Sequence, residues 1–389
     1  LPGHDVVSWN ALITGYVDQG LCGEAIKCFR KMLDERFSPN SVTFTCILKA
    51  CGSLGLLEKG EEIHDKVQKE GLVGSSIMLD NALVDMYAKC GAFAKARRAF
   101  DELPVRGVIS WTALITGYAQ HGHSDEALDC FRSMKEDGLS PDAVTFCSIL
   151  KACSMIGSTA KGKEIHAEAR NRGLLTANVV LGNALVDMYA KCGVLEKALQ
   201  VLEELPSRNV ASWNALISGY AQHEKGHDAL NCYTRMQREG FSPNEITFSS
   251  ILNACGKIGA IGKGKQIHDE IVCRGLLEKN IVLGNALVNM YAKCGLLSKA
   301  RQVLQELPSR NVASWSALIT GYTQHEQGHE ALNCFSQMQR EGTPPNEITF
   351  LCILKACGSI GAIDKGKQIH GDIVNRGLLK KHIVLGNAL

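Results

Sequence analysis

The stretch AQHEKGHDAL, residues 221–230, carries His223, Glu224 and His227 in the spacing H-E-x-x-H. On one unbroken helix that spacing sets two imidazoles on one face to hold zinc, with the glutamate as general base of a peptidase. The pattern returns at His325, Glu326 and His329, 102 residues further on. A catalytic centre is rarely duplicated at a fixed period, and the two earlier copies of the segment read VDQGLCGEA and AQHGHSDEA, without the motif. Apolar periodicity on either side ends one helix after GYAQ and begins the next near Asp228, so the two histidines straddle a turn. The expectation is a polar interhelical turn and no metal.

Three other chemical patterns dissolve in the same way. His64, His166, His268 and His370 also recur at 102 residues, beside Ile63, Ile165, Ile267 and Ile369. Intervening repeats at roughly 8–10 Å each separate them by about 25–30 Å, too far to share a metal, so they read as packing histidines. HAE at 166–168 and HDE at 268–270 supply the first half of a nucleotide-deaminase signature, but P-C-x-x-C is missing and no two cysteines stand in C-x-x-C spacing. GAIGKGKQ at 259–266 and GAIDKGKQ at 361–368 imitate a phosphate-binding loop, yet end in glutamine where the magnesium-binding hydroxyl belongs.

The elements behind these residues follow a strict super-repeat. VVSWNALITGY, VISWTALITGY, VASWNALISGY and VASWSALITGY begin at Val6, Val108, Val210 and Val312, each 102 residues after the last. Within it lie a 35-residue unit such as Val108–Asp142, a 36-residue unit such as Ala143–Asn178 and a 31-residue unit such as Val179–Asn209. The chain thus reads as one array: a tail at 1–5, triplets at 6–107, 108–209 and 210–311, a pair at 312–382, and the start of another unit at 383–389. LPGHD at the start shares its phase with LPVRG at 103–107, so the array is expected to continue in a longer protein.

Each unit is expected to be two helices. Trp111, Leu114, Ile115 and Tyr118 fall at i, i+3, i+4 and i+7, and Ala127, Leu128, Phe131 and Met134 form a second stripe that stops at Gly138. A lone hairpin of this size cannot bury both stripes, whereas stacked neighbours bury them continuously. The fold class expected is all-α, a right-handed α-solenoid whose first helices line a concave face. With 42 basic and 40 acidic residues the chain has a formal charge of +2, so any polyanion must be met by a local surface. No run approaches eighteen apolar residues, which leaves no membrane-spanning candidate. The sixteen cysteines recur in phase and read as small packing residues in a reducing compartment.

What remains is a polar residue after the tryptophan or glycine, or after Asp80 in the first short unit: Asn10, Thr112, Asn214 and Ser316 in the long units, Asn81, Asn183 and Asn285 in the short ones. These donors and acceptors face away from the apolar stripe, and they vary inside near-identical repeats. At these residues, and in the phrases SWNALISGYAQ, ITFSSILNACGKIG, GKQIH and LGNALVDMYAKCG, the chain resembles the plant pentatricopeptide repeat proteins with alternating long and short repeats. Tetratricopeptide repeats, which bind proteins, share the Trp, Leu and Tyr spacing but keep a uniform 34-residue unit. They supply the rival reading, a peptide-binding scaffold without base preference.

The resemblance implies one RNA base per repeat, read by the fifth and last residues. Single-stranded RNA leaves its Watson–Crick edges open to such groups. Transferred here, Asn10 with Asn40 implies a pyrimidine, Thr112 with Asp142 implies G, and Ser316 with Asn346 implies A. Asn183 with Asn209, Asn214 with Asn244, and Asn285 with Asn311 imply pyrimidines, while Asn81 faces Gly107, which has no side chain to discriminate. Val7, Ile109, Val180, Ala211, Val282 and Ala313 are the implied base-sandwiching residues. The 36-residue units place Thr45, Cys147, Ser249 and Leu351 at the fifth position and read as spacers, although Ser249 with Asn280 would favour A. The string is 5′-Y-n-n-G-n-Y-Y-n-Y-A-n-3′, with lysines such as Lys89, Lys191 and Lys293 near the phosphates. The resemblance further implies a mitochondrial or chloroplast RNA-processing factor for cytidine-to-uridine editing, with no cofactor in this segment. A deaminase domain or accessory proteins would lie outside it.

Overall fold

A computed structural model describes residues 5–377, and every element among them is a helix. In the 35-residue unit the helices run Val108–Gln120 and Ser124–Glu136; in the 36-residue unit, Ala143–Ile156 and Thr159–Asn171; in the 31-residue unit, Val179–Lys191 and Leu195–Glu204. One single-turn helix, Leu174–Ala177, joins a 36-residue unit to its successor, an element absent from the two-helix reading.

The chain divides after Ser207 into two compact units. In the first, the leading helices Val6–Asp18, Ser41–Leu54, Ile77–Lys89, Val108–Gln120, Ala143–Ile156 and Val179–Lys191 stack in chain order, each packed on the one before and the one after. The second repeats this with Val210–Gln222, Glu245–Ile258, Ile281–Lys293, Val312–Gln324 and Glu347–Ile360. Each unit is therefore an α-solenoid of helical hairpins. Its core holds the tryptophans Trp111, Trp213 and Trp315 together with Phe131, Phe146, Tyr233 and Phe335, all buried. Burying such a side chain contributes about 1.5–3 kcal/mol.

A leading helix has a neighbour on each side, so its approach distance is limited by small residues. Gly117, from the phrase ITGY, faces Ala88: an added Cβ would lie 2.5 Å from the Ala88 Cβ. Its counterpart Gly321 meets Ala292 in the same manner, at 2.6 Å.

The hairpin turn asks for a left-handed residue. Gly20 and Gly122 fill it at φ +73° and +84°, and Glu224 and Glu326 take the same place at +62° and +58°. The glutamate of H-E-x-x-H is thus a turn residue. His223 caps the C-terminus of Val210–Gln222, and His227 lies in the next helix, Gly226–Arg238, which starts two residues before the expected Asp228. Because a side chain in this conformation costs about 1 kcal/mol, Glu224→Gly should stabilise the array by a similar amount. Urea unfolding followed by circular dichroism measures it, and a lowered midpoint would contradict the turn assignment.

Candidate nucleic-acid interface

The last residue of each 35-residue unit is the N-cap of the next leading helix, and this fixes its side chain. Asn40 Oδ1 accepts from the backbone N–H groups of Val42 and Thr43, both at 3.1 Å. A backbone N–H only donates, so the amide oxygen must face inward and Nδ2 outward. Asn244 and Asn346 repeat the arrangement on Thr247 (3.1 Å) and Thr349 (2.9 Å), and Asn311 on Ser314 (3.0 Å). Asp142 Oδ1 accepts from the Thr145 backbone at 2.8 Å, leaving Oδ2 outward.

The fifth residue of the unit lies against that cap. Asn10 Nδ2 donates to Asn40 Oδ1 at 3.0 Å, while the Thr43 hydroxyl donates to Asn10 Oδ1 at 2.5 Å. Asn214 matches it, with 3.0 Å to Asn244 and 2.6 Å from Thr247. Each of these two asparagines therefore keeps one N–H and one lone pair for an outside partner.

Thr112 differs. The Thr145 hydroxyl gives its only proton to the Asp142 carboxylate at 2.7 Å, so Thr112 Oγ1, 2.6 Å from Thr145 Oγ1, must donate to it. Thr112 and Asp142 then present lone pairs alone. Ser316 is arranged likewise: Thr349 donates to Asn346 Oδ1 at 2.7 Å, and Ser316, 2.8 Å away, donates inward. Its outward lone pairs stand beside the Asn346 Nδ2 donors. Four pairs thus present three different hydrogen-bonding faces on one backbone geometry.

These side chains do not stand in solvent, as the position opposite an apolar stripe suggested. Asn10, Asn81, Thr112, Asn214 and Ser316 are only 6–9% exposed, because the next leading helix covers them. Asn183 and Asn285 are half-buried, and Asn285 Nδ2 donates to Asn311 Oδ1 at 3.3 Å. Asn183 belongs to the first compact unit and Asn209, the N-cap of Val210–Gln222, to the second.

Flanking this buried polar row is an exposed aliphatic one. Val7, Ile109, Val180 and Val282 are 57–72% exposed, and Ala211 and Ala313 are exposed as well. Sequence reasoning passed over the same position in the 36-residue units, where Val42, Val144, Ile246 and Ile348 are equally open. The common phase was the available signal. Two recesses open between these rows. One of about 400 Å³ in the first unit is lined by Met78, Asn81, Ile109, Thr112, Asp142 and Val144. The other, of about 390 Å³ in the second unit, is lined by Ser249, Asn253, Val282, Asn285, Asn289 and Ala313. In the 36-residue units the Thr45 hydroxyl is turned back onto the Ser41 carbonyl at 2.7 Å, while Asn280 caps Val282 at 3.0 Å.

The lysines are unequal. Lys89 is paired with Asp85 at 2.7 Å and Lys191 with Asp187 at 2.8 Å, whereas Lys293 has Asn289 at the corresponding place. Burial, with Lys257 nearby, lowers the Lys293 pKa from its ordinary value. The repeating histidines pack as expected at three positions: Nδ1 of His64, His166 and His268 lies 2.8, 3.1 and 2.9 Å from the hydroxyls of Tyr87, Tyr189 and Tyr291. Burial, followed by the positive charges of Arg170 and Lys197, pushes His166 down to about 4. His370 is exposed instead. Among the described residues no three His, Cys, Asp or Glu side chains gather as a metal site. No helix among them is long and apolar enough to cross a membrane.

Against known families, the PPR repeat family model matches residues 4–53, 106–155, 208–257 and 310–359, and a second PPR repeat model matches five further segments between 42 and 312. The chain belongs to the pentatricopeptide repeat family. A chloroplastic pentatricopeptide repeat-containing protein of Arabidopsis thaliana is 36% identical over 94% of this chain and 45% of its own length. A mitochondrial one from the same plant is 36% identical over 94% of this chain and 52% of its own. The chain therefore spans about half the length of these pentatricopeptide repeat relatives. Among solved structures, the pentatricopeptide repeat protein PPR10 in complex with an 18-nucleotide psaJ RNA element superposes with a TM-score of 0.70 at 19% identity, covering 94% of this chain and 59% of that one. That likeness is one of fold.

The polar row makes a stability prediction. Thr247→Val removes the proton donated to Asn214 Oδ1 and leaves that buried oxygen without its partner, which costs about 1–3 kcal/mol. The urea midpoint should fall accordingly, and an unchanged midpoint would show that the relay carries no weight.

Proposed function

We propose that the chain binds single-stranded RNA sequence-specifically, one base per repeat, through the fifth and last residues of its units. The observation that carries this reading is the difference between the outward hydrogen-bonding faces. The acceptor-only pair Thr112 and Asp142 complements guanine, whose N1–H and N2 amine are both donors. The acceptor and donor of Ser316 and Asn346 complement adenine, with its N6 amine and N1 lone pair. At Asn10 with Asn40, and at Asn214 with Asn244, two amides reach into the slot where a hydroxyl is shorter, which leaves room for a single ring. Asn285 with Asn311, joined at 3.3 Å, takes a pyrimidine on the same grounds, and Asn183 with Asn209 is assigned one by its residue types alone. Val7, Ile109, Val180, Ala211, Val282 and Ala313 then cover the faces of successive bases.

With the N-terminus toward the RNA 5′ end, the site is 5′-Y-n-n-G-n-Y-Y-n-Y-A-n-3′. The chloroplastic and mitochondrial relatives, and the RNA-bound PPR10, support an organellar RNA-processing role. Within that role we favour site recognition for cytidine-to-uridine editing by a class of alternating long and short repeats, the deaminase being supplied from outside residues 1–389. A peptide-binding scaffold of the tetratricopeptide kind would have no use for three distinct base-edge complements.

Fluorescence anisotropy with the proposed string, against the same string with its fourth G replaced by C, tests the reading at several salt concentrations. Discrimination of about 1 kcal/mol or more at that base should persist as salt weakens both complexes. Thr112→Asn should shift the fourth preference from G toward a pyrimidine without unfolding the array. Equal binding of all strings, or retention of the G preference by this variant, would remove the assignment.

A further inference from the structure

A recess of about 560 Å³ opens between the second helices Thr159–Asn171 and Leu195–Glu204 of the first compact unit. Lys163, Ala167, Arg170 and Lys197 line it, over a floor of buried His166 and Tyr189. No residue of the polar or aliphatic rows on the leading helices takes part. Its size falls within the range of sites that enclose small ligands, about 300–1,000 Å³.

The 102-residue period supplies two internal comparisons. One period earlier stand Glu61, Asp65, Gln68 and Lys95, and one period later Lys265, Asp269, Val272 and Lys299. In the first of these Lys95 is neutralised by Glu61 at 2.6 Å. Lys163 takes the place of that glutamate, Ala167 the place of an aspartate present on both sides, and Arg170 the place of a neutral residue. Against the first copy, every change moves the charge in the positive direction. Among the described residues neither Lys163 nor Lys197 has a carboxylate partner, and Lys197 Nζ donates instead to the Gln200 amide oxygen at 2.9 Å. The carboxylate present is that of Glu204, which pairs with Nη2 of Arg170 and leaves Nε and Nη1 of the guanidinium without an acceptor among the described residues. The imidazoles register the difference: burial lowers the pKa of both His64 and His166, but Asp65 opposes it at His64, while Arg170 and Lys197 add to it at His166.

We propose that this recess binds a phosphate monoester. The three cations Lys163, Arg170 and Lys197 against the carboxylate of Glu204 leave two positive charges, and a phosphate monoester carries about −1.5 to −2 at neutral pH. The guanidinium offers a planar fork of N–H donors to two phosphate oxygens, and the ammonium groups of the lysines act as point charges beside it. A single carboxylate, or one phosphodiester of a nucleic-acid backbone, would neutralise only half of that charge. The volume exceeds that of the phosphate alone, so the remainder holds the esterified group. The inference goes beyond the RNA reading and does not depend on it.

Isothermal titration calorimetry of the full chain at low ionic strength, without RNA, tests the site with phenyl phosphate and with a phosphoserine peptide. Both should bind at a single site per chain, and acetate should bind about tenfold or more weakly by comparison. Equal affinities would make the phosphate group itself the recognised feature, and a peptide advantage of about tenfold would make a phosphorylated protein its source. Lys163→Glu with Ala167→Asp installs residues that the array already carries in the same phase, so the fold should be kept while phenyl phosphate binding falls about tenfold or more. Conversely, Glu61→Lys with Asp65→Ala and Gln68→Arg should create a second site and double the stoichiometry. In proton spectra the Cε1–H resonance of His166 should move on addition of phenyl phosphate, and that of His268 should stay. Absence of binding, binding that survives Lys163→Glu with Ala167→Asp, or a stoichiometry unchanged by the triple exchange would overturn the proposal.

Discussion

The hydrogen bond from a helix N-terminus to the last side chain of the preceding unit is the constraint on which the rest of the array depends. A leading helix starts with N–H groups that have no partner within the helix, and in most units the residue before it supplies one, Ser76 and Gly107 being exceptions. Asn40, Asp142, Asn244, Asn311 and Asn346 meet that demand with one oxygen. The orientation of the remaining half of each side chain follows from it. The group offered to a ligand is thus held in place by the same bond that starts the helix. Residues interchangeable as caps, Asn and Asp above all, are not interchangeable in what they present outward.

A second layer of control sits three residues into the helix. Where that residue is Thr43, Thr145, Thr247 or Thr349, its hydroxyl bridges the cap and the fifth residue of the previous unit. Where it is Ser314, the hydroxyl turns back on its own cap, 2.8 Å from the Asn311 carbonyl, and Asn285 Oδ1 is left buried without a partner. That hydroxyl proton goes to the fifth residue where it is an amide and to the cap where it is a hydroxyl, leaving Asn10 and Asn214 a donor and an acceptor and Thr112 and Ser316 acceptors alone. The fold supplies the proton relay, and the identity of two side chains sets its direction.

The period, the paired helices and the tryptophan stripe were legible because each is a local pattern repeated at fixed spacing. Burial of Asn10, Thr112, Asn214 and Ser316 was not, since a helical wheel describes one helix and these residues are covered by the next one. The turn at Glu224 was placed within two residues, its motif defused by the glycines in the same phase at Gly20 and Gly122. The pairing of Lys89 with Asp85 was legible too, since the two stand at i and i+4 on one helix, and it removes Lys89 as an unpaired phosphate ligand. Leu174–Ala177 has no counterpart in the period and could not be derived from it. The packing role of His64, His166 and His268 was visible, but the tyrosine that each contacts lies in the following unit and only the stack brings it near.

The ion pairs also bear on how such an array would balance affinity against selectivity for the proposed RNA. Electrostatic attraction to phosphates is indifferent to sequence, so a surface rich in free lysines binds every strand and dilutes what its base contacts distinguish. Here the formal charge is only +2, and Lys89 and Lys191 are each neutralised by a carboxylate one turn away. Lys293, with Asn289 in that place and Lys257 close by, keeps its charge uncompensated by that neighbour. The residue one turn before the lysine thus sets how much unpaired charge each of these three positions offers, while the amides, hydroxyls and aliphatic walls beside them contribute according to which base is present.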